Sequence, residues 1–154
     1  MSEEIKGNYS TNDSDSIPYN LPIERADDLK GLMQGSLTID KKMYDVQGSY
    51  SFKDGKHTPA EITLKIAPHS SRRYEMYDAN YYRGTDTGNI LSRRSDDDYY
   101  APLPDACGEF KLTSEANTWD DFKKSFERLR GQGTFQDKET GQTKTVDNMI
   151  FKKT

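Results

Sequence analysis

Apolar and polar positions alternate most cleanly over residues 33–67. Leu37 and Ile39 are flanked by Ser36, Thr38 and Asp40. After a turn expected at Lys41-Lys42, Tyr44, Val46, Gly48, Tyr50 and Phe52 alternate with Asp45, Gln47, Ser49 and Ser51. Asp54-Gly55 reads as a tight hairpin, because glycine reaches positive φ without steric cost. Ile62, Leu64 and Ile66 then alternate with Thr63 and Lys65. A period of two turns one face of each strand inward and leaves the other in water, so this stretch predicts a three-stranded antiparallel meander.

The flanking segments carry other periods. Residues 1–20 are mostly Ser, Asn, Asp and Glu, with little to bury, and predict a disordered acidic arm. Ile23, Ala26 and Leu29 are three apart, which predicts a short helix over residues 21–32 ending near Gly31. Phe110 and Leu112 mark a short strand. Thr118 caps a helix start, with Asp120 and Asp121 in the first turn, where the helix dipole favours anions. Trp119, Phe122, Phe126 and Leu129 then share one helical face. A rival reading ends that helix near Ser125 and makes residues 126–135 a strand. Residues 134–151 predict a closing hairpin, with Val146, Asn148 and Ile150 alternating against Asp147, Met149 and Phe151. The expected fold is mainly β, a β-rich α+β chain. Its antiparallel meander forms a curved sheet or small barrel of about six strands with one or two short helices. Residues 21–154 make one domain, interrupted by an irregular insertion at 68–105.

Composition narrows the picture. Leu, Ile, Val and Phe together make about 16% of the 154 residues, which points to a small core with tyrosine supplying much of the apolar area. The net charge is −4, and it resides mainly in residues 1–36. No basic face large enough to displace counterions from duplex nucleic acid is present. Cys107 is the sole cysteine, which excludes an intrachain disulfide and a cysteine-based zinc site. No apolar run reaches membrane-spanning length. The polar first 20 residues carry no signal-peptide pattern, so the cytoplasm is the default compartment. A periplasmic or secreted chain whose signal had been removed reads the same.

The insertion is compositionally distinct. Residues 69–104 hold six of the ten tyrosines, five of the eight arginines and no lysine. Tyrosine offers large contact area at small entropic cost, and arginine offers a planar fork for carboxylates or phosphates. Both types dominate interface hot spots. The candidate contact residues are Arg72, Arg73, Tyr77, Tyr81, Tyr82, Arg93, Arg94, Tyr99 and Tyr100. The competing reading packs the tyrosines onto the scaffold and pairs the arginines with local acids. Single-stranded nucleic acid also favours such residues, but the seven acids of residues 68–105 oppose it.

Two stretches, residues 35–56 (GSLTIDKKMYDVQGSYSFKDGK) and 126–151 (FERLRGQGTFQDKETGQTKTVDNMIF), carry a Gly-x-aromatic step, at Gly48-Ser49-Tyr50 and Gly133-Thr134-Phe135. In this the chain resembles small bacterial β-barrel domains of the calycin type. The resemblance implies an antiparallel barrel or strongly curved sheet. The Gly-x-Trp step that lipocalins carry near their first strand is absent, the only tryptophan being Trp119.

Catalytic motifs fare poorly. Asp86-Thr87-Gly88 matches the aspartic-protease triplet but lacks the apolar strand that would bury paired carboxylates. Cys107, His69 and Asp105 are the only nucleophile set that can be sketched, and their spacing does not bring them together. Asp96-Asp97-Asp98 lacks the alternating ligand geometry of a calcium loop. Neither cofactor nor metal is expected. The leading expectation is a non-enzymatic protein-binding module, of the inhibitor or immunity type used by bacteria and phages, docking through the Arg/Tyr/Asp-rich surface. The alternative is a small-molecule carrier lined by Tyr44, Tyr50, Phe52 and Trp119.

Overall fold

The computed structural model describes residues 5–27, 29–52, 60–71, 73, 100–115 and 126–154, with the backbone alone at Phe52. The described elements are all strands: β1 (Gly7–Asn12), β2 (Pro18–Asp27), β3 (Leu32–Ile39), β4 (Lys42–Phe52), β5 (Ala60–Pro68), β6 (Gly108–Glu115), β7 (Arg128–Gln136) and β8 (Thr143–Lys153). Each pairs antiparallel with its chain neighbour and β8 returns to β1, closing an up-and-down barrel. The expected antiparallel, mainly β architecture is present. The count of about six strands becomes eight, and the choice between curved sheet and barrel resolves to the barrel.

The two added strands correct the reading of the N-terminal third. The arm expected to be disordered forms β1 and begins β2. It succeeds on few residues: Tyr9 is buried from β1, and Tyr19, Leu21 and Ile23 from β2, alternating with Pro18, Asn20 and Pro22. Its acids are structural. Asp13 Oδ1 accepts from the amides of Asp15 (2.8 Å) and Ile17 (3.1 Å), which folds the β1–β2 turn. Asp13 Oδ2 accepts from Tyr19 Oη (2.9 Å) and from Lys144 Nζ of β8 (2.7 Å). The helix expected over 21–32 is strand β2 and a turn. The three-residue spacing arises where the ladder to β3 shifts register between Ile23 and Arg25, and Leu29 is fully exposed. The ladder passes over Pro22, which has no amide to give.

Further along, the rival strand reading of residues 126–135 is the observed one. The remainder of the expected helix, residues 116–125 with Trp119 among them, lies outside the described residues, as does the Asp54-Gly55 turn. The β3–β4 turn falls at Asp40-Lys41, one residue early, with Asp40 at φ 57°. In β8 a bulge displaces the expected alternation. Asn148 adopts φ 54° and the register shifts, so Val146, Met149 and Phe151 are buried and Asn148 is exposed.

Aromatic rings fill the interior. Tyr44 meets Phe135 edge-on (6.2 Å between centroids) and Phe135 stacks on Phe110 (6.1 Å). Phe110 meets Phe151 (6.4 Å), and Phe151 meets Tyr19 (6.4 Å). Such a row needs small neighbours, because eight strands leave room for side chains and little else. Gly133, paired with Phe110 across β6–β7, supplies one: a Cβ there would collide with the Phe110 ring. The outer face is polar, with Lys65 paired to Glu109 (2.7 Å) and Arg130 to Glu115 (2.8 Å). Apolar inside and charged outside is the reverse of a transmembrane barrel. Among the described residues no helix is long and apolar enough to cross a membrane.

Candidate functional site

Strand order puts four connections at one end of the barrel: the turns after β1, β3 and β7, and the long excursion between β5 and β6. The excursion departs at Pro68 and returns at Gly108, so its two ends are held one strand apart. On the departing side, His69 N donates to Met43 O (3.2 Å), extending the β4–β5 ladder by one step. On the returning side, Cys107 N donates to Ile66 O (2.7 Å), and Gln136 N donates to Cys107 O (2.8 Å).

Between them lies Asp45. Its place on the polar side of β4 gave no reason to single it out, yet it is only 4% exposed. Burial of a carboxylate costs several kcal/mol unless donors surround it. Three do. His69 Nδ1 lies 2.9 Å from Asp45 Oδ1, and because a carboxylate only accepts, Nδ1 carries the hydrogen. Ser70 N and Arg73 Nε donate to Oδ2 at 3.1 and 2.7 Å.

The terminal nitrogens of Arg73 reach both ends of the excursion. Nη1 and Nη2 donate to the two carboxylate oxygens of Asp105, both at 3.1 Å, and Nη2 also reaches Pro68 O at 3.2 Å. This is the forked geometry that arginine makes and lysine does not. Arg73 hydrogen bonds hold the Asp105 carboxyl below its ordinary range. Burial works against the Arg73 charge, but the Asp105 and Asp45 hydrogen bonds outweigh it and raise the guanidinium further.

Beside this network is a concavity of about 340 Å³, lined by Met43, Tyr44, Pro68, His69 and Lys138 together with the Lys42–Asp137 pair (2.6 Å). Met43 is 48% exposed there. A second concavity, of about 530 Å³, lies on the outer wall where β1 and β8 splay, between Ser10, Asn12, Asn20, Ile150 and Lys152.

Of the nine candidate contact residues, Arg73 and Tyr100 fall within the described residues. Arg73 is turned to the barrel and its own excursion, its side chain 11% exposed. Tyr100 is half-buried. Arg72, Tyr77, Tyr81, Tyr82, Arg93, Arg94 and Tyr99 lie outside the described residues, as do Asp86-Thr87-Gly88 and Asp96-Asp97-Asp98. Of the carrier residues, Tyr44 and Tyr50 are core, each 6% exposed, with Tyr50 edge-on to Phe126 at 6.4 Å. The Phe52 ring and Trp119 lie outside the described residues. Of the sketched nucleophile set, His69 Nδ1 is paired with Asp45 and Asp105 with Arg73, and burial pushes the Cys107 thiol up, away from the reactive thiolate. Among the described residues no group of three His, Cys, Asp or Glu side chains is placed to hold a metal ion.

Fold and site together define a class: a closed, up-and-down antiparallel barrel with an aromatic interior and a long Arg/Tyr-rich excursion leaving one end. No family model matches the chain, and no curated protein or solved structure matches it significantly.

Proposed function

We propose that this protein is a non-enzymatic protein-binding module, in which the barrel is the support and the excursion between β5 and β6 docks onto a protein partner. Arg72, Tyr77, Tyr81, Tyr82, Arg93, Arg94, Tyr99 and Tyr100 make the contacts, and Arg73 acts behind them. The observation that supports this reading is where the aromatic residues are spent. Tyr9, Tyr19, Tyr44 and Tyr50 are buried in the barrel, and the other six tyrosines belong to the one excursion, whose ends are fastened to the barrel rim. Rings packed against rings at Tyr44 and Tyr50 weigh against the small-molecule carrier. An inhibitor or immunity-type role, blocking a toxin, a hydrolase or a defence protein, suits a compact chain of this kind.

The test is capture from the native host. Replacing Tyr81, Tyr82, Tyr99 and Tyr100 with Ala should abolish co-purification of a specific protein while the far-ultraviolet β signal persists. Undiminished capture defeats the proposal. Native mass spectrometry of the purified protein adds a second arm, since a retained small ligand would favour the carrier instead.

A further inference from the structure

We infer that Arg73 is a neck clamp, a positioning residue that ties the departing and returning ends of the excursion to each other and to the barrel wall. Three attachments meet on its one guanidinium. Nε is anchored on Asp45, which belongs to β4 and is itself buried. Nη2 reaches back to Pro68 O, where the excursion begins. Nη1 and Nη2 together grip Asp105, 32 positions later, where it ends. His69 and Ser70 complete the Asp45 shell from the departing side, so the carboxylate organises the first turn of the excursion and the arginine carries that order across to the return.

The arrangement is more than a surface ion pair. Arg73 is 11% exposed and Asp45 6% exposed at the side chain, so solvent screens their contact little. Nε, Nη1 and Nη2 all have partners, drawn from three places in the chain, and a lysine ammonium, a point charge, reaches fewer of them. Closing the neck also removes conformational freedom before any partner arrives, and such preorganisation lowers the cost of binding. That the fastened neck serves docking rests on the proposed function above; the clamp itself does not.

Amide hydrogen exchange on the full chain separates the two. Arg73→Ala and Asp105→Ala, singly and together, should accelerate exchange over residues 69–71 and 100–107 by about ten-fold or more, as loss of charge-assisted hydrogen bonds implies. The double variant should be no faster than Arg73→Ala alone, because that substitution already removes the Asp105 link. Exchange in β4 and β5 away from the rim should be unchanged. Asp105→Ala leaves Asp45 paired, so it carries the test even if Arg73→Ala fails to fold, and its effect must reach residues 69–71. Arg73→Lys should fall between wild type and Ala. Neck exchange at the wild-type rate, additive single effects, or acceleration spread evenly over the barrel would each overturn the clamp. If the neck loosens while capture from the host is undiminished, the clamp stands and the docking reading falls.

Discussion

The barrel wall from β3 to β5 and the seam between β1 and β8 close the same cylinder by different means. Along the wall, β4 pairs with β5 without interruption from Tyr44–Pro68 to Phe52–Ala60, and each described inward side chain is apolar or glycine. At the seam, β1 meets β8 through Tyr9–Lys153 and Ser10–Lys152 alone. Polar contacts hold the strands together on either side of those two pairs: Lys144 bonded to Asp13 above the splay, and Thr154 N to Asn8 O (2.9 Å) below it. The Lys153 ammonium also lies over the Tyr9 ring at 5.6 Å. Apolar burial secures the wall and is insensitive to pH. Charge and hydrogen bonding secure the seam, and they are not.

Phe110→Ala should have the largest effect, because that ring touches both Phe135 and Phe151 and a cavity would remain. A loss of about 3–5 kcal/mol is expected from chemical denaturation. Asp13→Ala comes next, its side chain being only 2% exposed. Burial alone would raise this carboxyl, but the Lys144 ammonium, the Ile17 and Asp15 amides and the Tyr19 hydroxyl pull it down to about 2. A folded-state value below the unfolded one stabilises at pH above the unfolded value and is lost as pH falls through the folded one. Wild type should therefore lose roughly 2 kcal/mol as pH drops from about 4 to about 2. Asp13→Ala should show that loss already at neutral pH, with a flatter acid limb. An unchanged acid limb would mean that the seam does not depend on this contact.

The tyrosines act at the other extreme of pH. Burial raises the phenols of Tyr9 and Tyr19, with Asp13 adding to the shift at Tyr19. Raised folded values give stability present below the ordinary tyrosine range and lost above it. Titration followed by phenolate absorbance should show these rings ionising only as the barrel unfolds. The smallest effect belongs to the outer wall. Glu109→Ala breaks an exposed pair with Lys65 and should change stability by at most about 1 kcal/mol.

The same contrast explains what could be read in the sequence. Strands β3, β4, β5 and β6 stand where strict alternation put them, because a half-buried strand writes its period into the chain. Strand β1 buries Tyr9 and little else, so its period is too short to see. Strand β2 hid its Tyr19-Leu21-Ile23 alternation behind two prolines and a chance helical spacing. The β8 alternation failed at Asn148, since a bulge is decided by the neighbouring strand. Asp13 and Asp45 read as solvated acids. Their roles come from partners 131 and 28 positions away, Lys144 and Arg73, which no local pattern announces. The excursion was visible as a compositional break, and its neck was not.

If the barrel is support and the excursion is the working part, the two should separate cleanly. The most direct test replaces residues 74–99 with a short Gly/Ser linker, keeping Arg73, Asp105 and Asp45. The shortened barrel should melt cooperatively near the wild-type temperature and no longer capture a partner from the native host. Undiminished capture by the shortened chain would contradict this division of labour.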